Sequence, residues 1–275
     1  MSATTARQAS VDGVTLAYLD HGTGGPPVFC VHGLTRNSRD FDSVIARLAP
    51  HRRVLAVDVA GRGDSAWLSD KSHYSYPVYV AHMLALLDQL GLEQVDWIGT
   101  SMGGLIGMMV AAQAPTRIRR LVVNDIGPFI PKASLVRIAG YMATDHQWPT
   151  LEAAEQFFRK HSAPFGPLTD AQWRHLTETS VRRRDGGFVP AYDPGMADAF
   201  KGVEPADVNL WALWAEIRQP ILVLRGADSD LLLRPTALGM VARGDVTLRE
   251  FAGCGHAPAL LADDQLDAIE RWLLA

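Results

Sequence analysis

The stretch Val95 to Ala112, VDWIGTSMGGLIGMMVAA, constrains this 275-residue chain more than any other. An apolar run with strand character meets a run with helix character across Gly99-Thr100-Ser101-Met102-Gly103, which is G-x-S-x-G at a strand-to-helix turn. A serine hydroxyl is a weak nucleophile until it is lifted out of the fold, aligned with a base and set beside hydrogen-bond donors. A sharp turn achieves the first and the third. Gly99 and Gly103 lack a Cβ, so strand and helix can crowd together around a residue held in a sparsely populated backbone conformation. Ser101 is expected alone at the tip, facing the unpaired N-terminal amides of the helix, which suit a developing negative charge.

The second chemical element lies upstream. Val28-Phe29-Cys30-Val31 is a short apolar run of the kind buried on both faces of a parallel sheet, and it ends in His32-Gly33-Leu34-Thr35-Arg36. In serine hydrolases of this layout the backbone amide after H-G joins the amide after the nucleophile to form an oxyanion hole, which here means Leu34 and Met102. His32 is expected to be structural, fixing the turn by hydrogen bonds.

Around these two elements strands and helices alternate. Residues 7 to 20 read as a hairpin about Asp12-Gly13. Phe41 to Leu48 has helical spacing, and Arg53 to Val57 is a buried strand ending at Asp58. The following Gly61-x-Gly63 pair is a loop signal and not a dinucleotide site, since no helix opens after it. Ser75 and Pro77 open a helix that buries Val80, Met83, Leu84, Leu87 and Leu90 and stops at Gly91, with His82 a packing residue. Leu121 to Val123 is the next strand, ending in Asn124-Asp125. From Phe129 to about Glu204 the pattern changes to helix-like pieces broken by prolines and glycines with no strong strand, which reads as an inserted helical lid. Its Trp148, Phe157, Phe158, Phe165 and Trp173 are expected mostly between lid and sheet, with a minority facing substrate. Gly186-Gly187 reads as a turn. The alternation resumes with a helix at Trp211 to Ile217, a strand at Ile221 to Leu224, a helix at Thr236 to Val241, a strand at Val246 to Phe251 and a closing helix at Asp264 to Leu274.

The resumed half carries an acid and a base. Arg225-Gly226-Ala227-Asp228-Ser229-Asp230 follows one strand, and Gly253-Cys254-Gly255-His256-Ala257-Pro258 follows the last. Ligands in such sheets bind at the carboxyl ends of the strands, so Ser101, an aspartate and His256 can converge. His256 would take the Ser101 proton, the carboxylate would fix the imidazole tautomer, and Ser101 would attack an acyl carbonyl to give an acyl-enzyme.

With these residues in view, the chain resembles the α/β-hydrolase superfamily, in the group with a helical lid. The matching residues are His32-Gly33, Asp58 with Gly61 and Gly63, Gly99 to Gly103, Gly226 with its acidic pair, and Gly255-His256. The resemblance implies a mostly parallel eight-stranded α/β sheet covered by helices on both faces, with a core of residues 1–128 and 205–275 and a lid of 129–204. The family's acid most often stands three residues after the glycine that ends its strand, and that position holds Ser229. Relatives that read R-G-x-x-S-D use the aspartate after the serine, so Asp230 is the expected acid, with Asp228 and Asp125 as alternatives. Ser101 argues against epoxide hydrolases and haloalkane dehalogenases, which carry aspartate at the elbow. Thr100 and Ala257 argue against the carbon-carbon bond hydrolases that resemble G-N-S-M-G-G with tryptophan after the histidine. The expected activity is hydrolysis of carboxylic esters with small or medium acyl groups. A lactonase, a non-haem haloperoxidase and a ligand receptor of the same fold stand as alternatives.

Composition closes off other classes. Hydrophobic residues make up 48% and charged residues 20%, ordinary for a globular domain, and the net charge of −4 gives no case for nucleic acid or an anionic membrane. Arg182-Arg183-Arg184 reads as a solvated face. Cys30 and Cys254 are too few for a disulfide framework or a cysteine metal site, and neither metal-ligand spacing nor a phosphate-binding loop is present, so no metal or organic cofactor is expected. The N-terminal MSATTARQASVDG lacks the apolar core of a signal peptide, and no apolar run approaches the roughly 20 residues of a membrane span. The expected partner is a small-molecule ester, met in the cytoplasm.

Overall fold

The computed structural model describes residues 5–142, 144, 146–200, 202 and 204–275. Its strands are β1 (Thr5–Val11), β2 (Val14–His21), β3 (Val28–Val31), β4 (Val54–Val57), β5 (Val95–Thr100), β6 (Ile118–Asn124), β7 (Phe129–Ile130), β8 (Val181–Arg184), β9 (Gly187–Pro190), β10 (Val208–Asn209), β11 (Ile221–Gly226) and β12 (Val246–Phe251). Its helices are α1 (Asp42–Leu48), α2 (Tyr76–Gln89), α3 (Met102–Gln113), α4 (Lys132–Met142), α5 (Leu151–His161), α6 (Asp170–Ser180), α7 (Trp211–Glu216), α8 (Arg234–Val241) and α9 (Asp263–Leu274).

Eight strands form one sheet in the order β1-β2-β4-β3-β5-β6-β11-β12. From β4 to β12 neighbours run parallel, and the β1–β2 hairpin adds an antiparallel edge. This is the expected mostly parallel α/β sheet. The parallel strands read as continuous apolar runs because both faces are covered. Phe29, Val31, Leu55 and Val57 pack with Val80, Met83 and Leu87 of α2 and Leu105 and Ile106 of α3. Val28, Cys30, Val54 and Ala56 face the other way, onto Val44 and Leu48 of α1 and Ile269 and Leu273 of α9. The period of two in each strand therefore supplies two helical layers.

The segment between β6 and β11 departs from the sequence expectation. It holds the helices α4, α5 and α6, but also β7 paired with β10 and a β8–β9 hairpin, where no strong strand was expected. The hairpin turns at Asp185-Gly186, with φ of 49° and 81°, the same two-residue geometry as Asp12-Gly13 in the first hairpin, at 49° and 80°. The Arg182-Arg183-Arg184 run hid the strand alternation. It is not wholly solvated either: Arg182 is half-buried, lies over the Trp67 ring and donates to the Gly63 carbonyl at 3.0 Å. Trp148, Phe158 and Trp173 are buried with Phe157 and Phe165 against them in a small core of the inserted segment itself, separate from those on the sheet. Polar contacts fasten this segment to the sheet's loops: Gly63 N–H donates to Ala191 O and Asp193 N–H to Gly61 O, while Lys71 and Tyr74 both bond the Asp193 carboxylate. Among the described residues, no helix is long and apolar enough to cross a membrane.

The strand that leads to Ser101 is anchored by charge. Asp96 on β5 is fully buried and accepts from Arg52 and from Arg119 Nε, the latter at 2.9 Å. Removing one partner of a buried ionic cluster leaves the others uncompensated. Asp96→Asn is expected to lower unfolding free energy by about 3–5 kcal/mol in urea titration; a loss below about 1 kcal/mol would show that the cluster does not hold β5.

Candidate active site

Ser101 directly follows β5 and stands at the N-cap of α3 with φ 50° and ψ −111°, a strained left-handed conformation for a residue with a side chain. The flanking glycines make that turn possible. A Cβ on Gly99 would lie 2.3 Å from the Gly103 carbonyl oxygen, and one on Gly103 would lie 2.0 Å from Val31 O. The start of α3 thus sits directly on the end of β3. The H-G loop that continues β3 closes on the serine, since a Cβ at Gly33 would be 3.8 Å from Ser101 Cβ.

His256, in the loop after β12, brings Nε2 to 3.0 Å from Ser101 Oγ and Nδ1 to 2.7 Å from Asp125 Oδ2. A carboxylate can only accept, so Nδ1 carries the proton and Nε2 is left to accept from the serine hydroxyl. The expected pairing of Ser101 with His256 is present.

The carboxylate that the structure brings to His256 is not the expected Asp230. Asp230 is exposed and held by Arg137, whose Nε and Nη2 donate to its carboxylate at 2.8 and 2.9 Å. Asp228 is also exposed and uses its backbone N–H to bond Cys254 O at 2.9 Å, as expected of a turn residue. Asp125, one of the two alternatives from the sequence, is the carboxylate on His256. It is fully buried at the end of β6, with φ 56°, and its Oδ1 accepts from Gly226 N–H at 2.9 Å. Ser229 donates to Asp125 Oδ2 at 2.5 Å while its Oγ accepts from the Leu231 and Leu232 amides. The position from which a β11 loop would supply an acid therefore holds a hydroxyl that braces an acid from the neighbouring strand. That serine was the available signal: a donor at this place needs a carboxylate from elsewhere, and Asp125 is the aspartate that ends the adjacent strand.

Of the two amides expected to bind an oxyanion, Met102's directly follows the serine and Leu34's follows Gly33, where a Cβ would lie 3.8 Å from Ser101 Cβ. Neither Leu34 N–H nor Met102 N–H makes a hydrogen bond among the described residues. His32 is fully buried; its Nδ1 donates to Gly33 O at 2.7 Å and its Nε2 accepts from Val59 N–H at 3.0 Å. Burial pushes its pKa down to about 3, against the bond to Gly33 and with help from the nearby Arg62 and Arg36 charges, which favours the neutral ring near neutral pH. By donating to the carbonyl of the Gly33–Leu34 peptide it polarises the N–H at the other end. Asp58 accepts from the Ser38 and Asp64 amides at 2.7 and 2.8 Å and fixes the loop below; burial raises its pKa in spite of those bonds. Arg62, which the sequence marks only as the middle of a G-x-G loop, is wholly buried beside Leu34 and Met102.

A cavity of about 990 Å³ lies in the inserted segment, walled by Met142, Trp148, Phe188 and Tyr192 among others, and none of Ser101, His256 or Asp125 lines it. Its Tyr192 wall is bridged to the backbone of Arg62. Among the described residues no three His, Cys, Asp or Glu side chains gather to hold a metal.

Residues 26–263 match the α/β-hydrolase-fold family, and the chain belongs to it. It is 40% identical over 263 residues to a 3-hydroxybutyrate-oligomer hydrolase of Cupriavidus necator, covering 91% of this chain and 90% of that one. Similarity to a 2-hydroxy-6-oxo-2,4-heptadienoate hydrolase of Pseudomonas putida is lower, 28% over 93% of this chain and 91% of the relative. A crystal structure of an α/β hydrolase from Novosphingobium aromaticivorans superposes with a TM-score of 0.92 at 35% identity, over 100% of this chain and 99% of the other. The protein is thus a hydrolase of this family.

We propose Asp125 as the acid, and kinetics tests it directly. Asp125→Asn should lower turnover by on the order of a thousandfold or more, because the imidazole is then held in the wrong tautomer. Asp230→Asn and Asp228→Asn should stay within about twofold of wild type, as expected of exposed substitutions. Steady-state kinetics with the reverse ranking would restore Asp230.

Proposed function

We propose that the protein is a serine ester hydrolase cleaving carboxylic esters of small or medium acyl groups, with oligomers of 3-hydroxybutyrate as its substrate class. The observation that carries this reading is the unbroken line from Ser101 Oγ to His256 Nε2 at 3.0 Å and from His256 Nδ1 to Asp125 Oδ2 at 2.7 Å. His256 removes the serine proton as Ser101 attacks the ester carbonyl, and the imidazolium that forms is stabilised by the buried carboxylate. The Leu34 and Met102 amides receive the charge on the carbonyl oxygen. His256 then protonates the leaving alkoxide, and the acyl-enzyme is released by water that His256 activates.

The substrate class rests on the Cupriavidus necator relative, whose likeness spans nine-tenths of both chains. An oligomer needs room beyond the reacting ester. The segment 129–204 acts as a lid over the Ser101 end of the sheet and bounds that room. A cytoplasmic setting belongs to the same proposal and is supported by the unpaired, buried Cys30 and Cys254.

Purified protein should hydrolyse the dimer and trimer of 3-hydroxybutyrate continuously. Ser101→Ala should lower kcat at least about a thousandfold with the fold intact by circular dichroism. A variant retaining a tenth of wild-type turnover would remove Ser101 as nucleophile. A single burst without sustained turnover would point to a ligand receptor, and preference for cyclic over linear esters would move the reading to a lactonase.

A further inference from the structure

Arg62 is fully buried, yet the hydrogen bonds of its guanidinium among the described residues all run to uncharged groups. A buried charge is ordinarily paired, and keeping one without a counter-charge is costly. Arg62 is instead held by neutral acceptors. Its Nε donates to Leu34 O at 2.9 Å, and its Nη1 donates to Ala60 O at 2.8 Å and to Tyr79 OH at 2.9 Å. Its Nη2 lies 3.5 Å from Met102 Sδ. The Tyr74 and Tyr79 rings stack beside it, with the guanidinium carbon 5.6 and 4.9 Å from their centroids. Leu34 and Met102, the residues whose amides flank Ser101, are therefore both held by one rigid planar cation.

We infer that Arg62 is a positioning residue for the oxyanion site, fixing the Leu34 loop against the first turn of α3 and leaving its charge uncompensated so that its field favours negative charge there. This rests on the reading of Ser101 as nucleophile. The placement follows from the fold. Gly61 and Gly63, at φ of 86° and 52°, turn the loop after β4 inward, and Gly63 packs so closely on Asp58 that a Cβ would fall 2.2 Å from its carboxylate. The residue between them is thus driven under the β3–α3 junction. Lysine, with a point charge, cannot reach Leu34 O, Tyr79 and Met102 together. Because the amides act on charge that exists only in the tetrahedral state, loss of their alignment lowers kcat and leaves substrate binding alone.

The test compares Arg62→Lys, Arg62→Met and Tyr79→Phe with wild type, using ester kinetics, affinity for an alkyl boronic acid that forms a tetrahedral serine adduct, and affinity for free 3-hydroxybutyrate as a ground-state ligand. Arg62→Met should lower kcat by about a hundredfold and Arg62→Lys by about tenfold, within the range for a lost or displaced oxyanion donor. KM should stay within about threefold, boronate affinity should fall in step with kcat, and product affinity should not change. Tyr79→Phe removes one acceptor and keeps the cation, so it carries the test if the Arg62 variants fail to fold; kcat should fall about threefold or more, again without a change in KM. Turnover within twofold of wild type in folded variants, or a loss confined to KM and shared by the ground-state ligand, would overturn the assignment. The two readings separate on a parallel Ser101→Ala arm. An inactive Ser101→Ala beside unaffected Arg62 variants overturns the role of Arg62 alone, whereas an active Ser101→Ala overturns both.

Discussion

Everything in the site depends on the contact between the first turn of α3 and the end of β3. The absent Cβ of Gly103 would fall 2.0 Å from Val31 O, and that of Gly99 2.3 Å from Gly103 O, so the helix can start only where it does. The backbone between them must reverse within one residue, and Ser101 takes the strain, of the order of 1–3 kcal/mol. The surroundings over-determine that strained residue. Trp97, fully buried, donates from its indole to Gly103 O at 3.0 Å, and Asp96 ties the same strand to two arginines. A stable sheet thereby supports an unfavourable conformation at its edge, and the hydroxyl is presented without a search through rotamers of a flexible loop.

The same economy governs the charges. Asp125 is buried, but each oxygen is satisfied, Oδ1 by the Gly226 amide and Oδ2 by Ser229 and His256. Its carboxylate is thus oriented from the β11 side as well as from its own strand. Arg62 shows the opposite arrangement, a buried charge whose hydrogen bonds run to neutral partners, among them Leu34 and Met102, the two residues whose amides are proposed to receive negative charge. On the proposed reading, an anion behind the imidazole and a cation behind the amides would polarise the site in the direction that attack on a carbonyl requires.

Much of this was legible in the sequence because it is local. The elbow, the H-G loop and the histidine loop each announce themselves within a few residues, and the continuous apolar strands bound them. The carboxylate that partners His256 was not local. Asp230 and Asp125 both follow strands that end at the same edge, and the choice between them depends on a cross-strand contact between Ser229 and Asp125 that no single segment displays. Arg62 was invisible for the same reason, since its meaning lies in Leu34 and Met102, 28 and 40 residues away. The β8–β9 hairpin is a different failure: Asp185-Gly186 carries the same turn signal as Asp12-Gly13, but three consecutive arginines replace the alternation that identifies a strand.

If Ser101 forms a covalent acyl intermediate, as proposed, rapid acid quenching during turnover captures it. Peptide mass spectrometry of enzyme quenched with an activated 3-hydroxybutyrate ester should show the peptide containing Ser101 heavier by one acyl group in place of one hydrogen, with the modification on Ser101 itself. Steady hydrolysis with Ser101 unmodified at every quench time, or an acyl group on another side chain, would contradict the account.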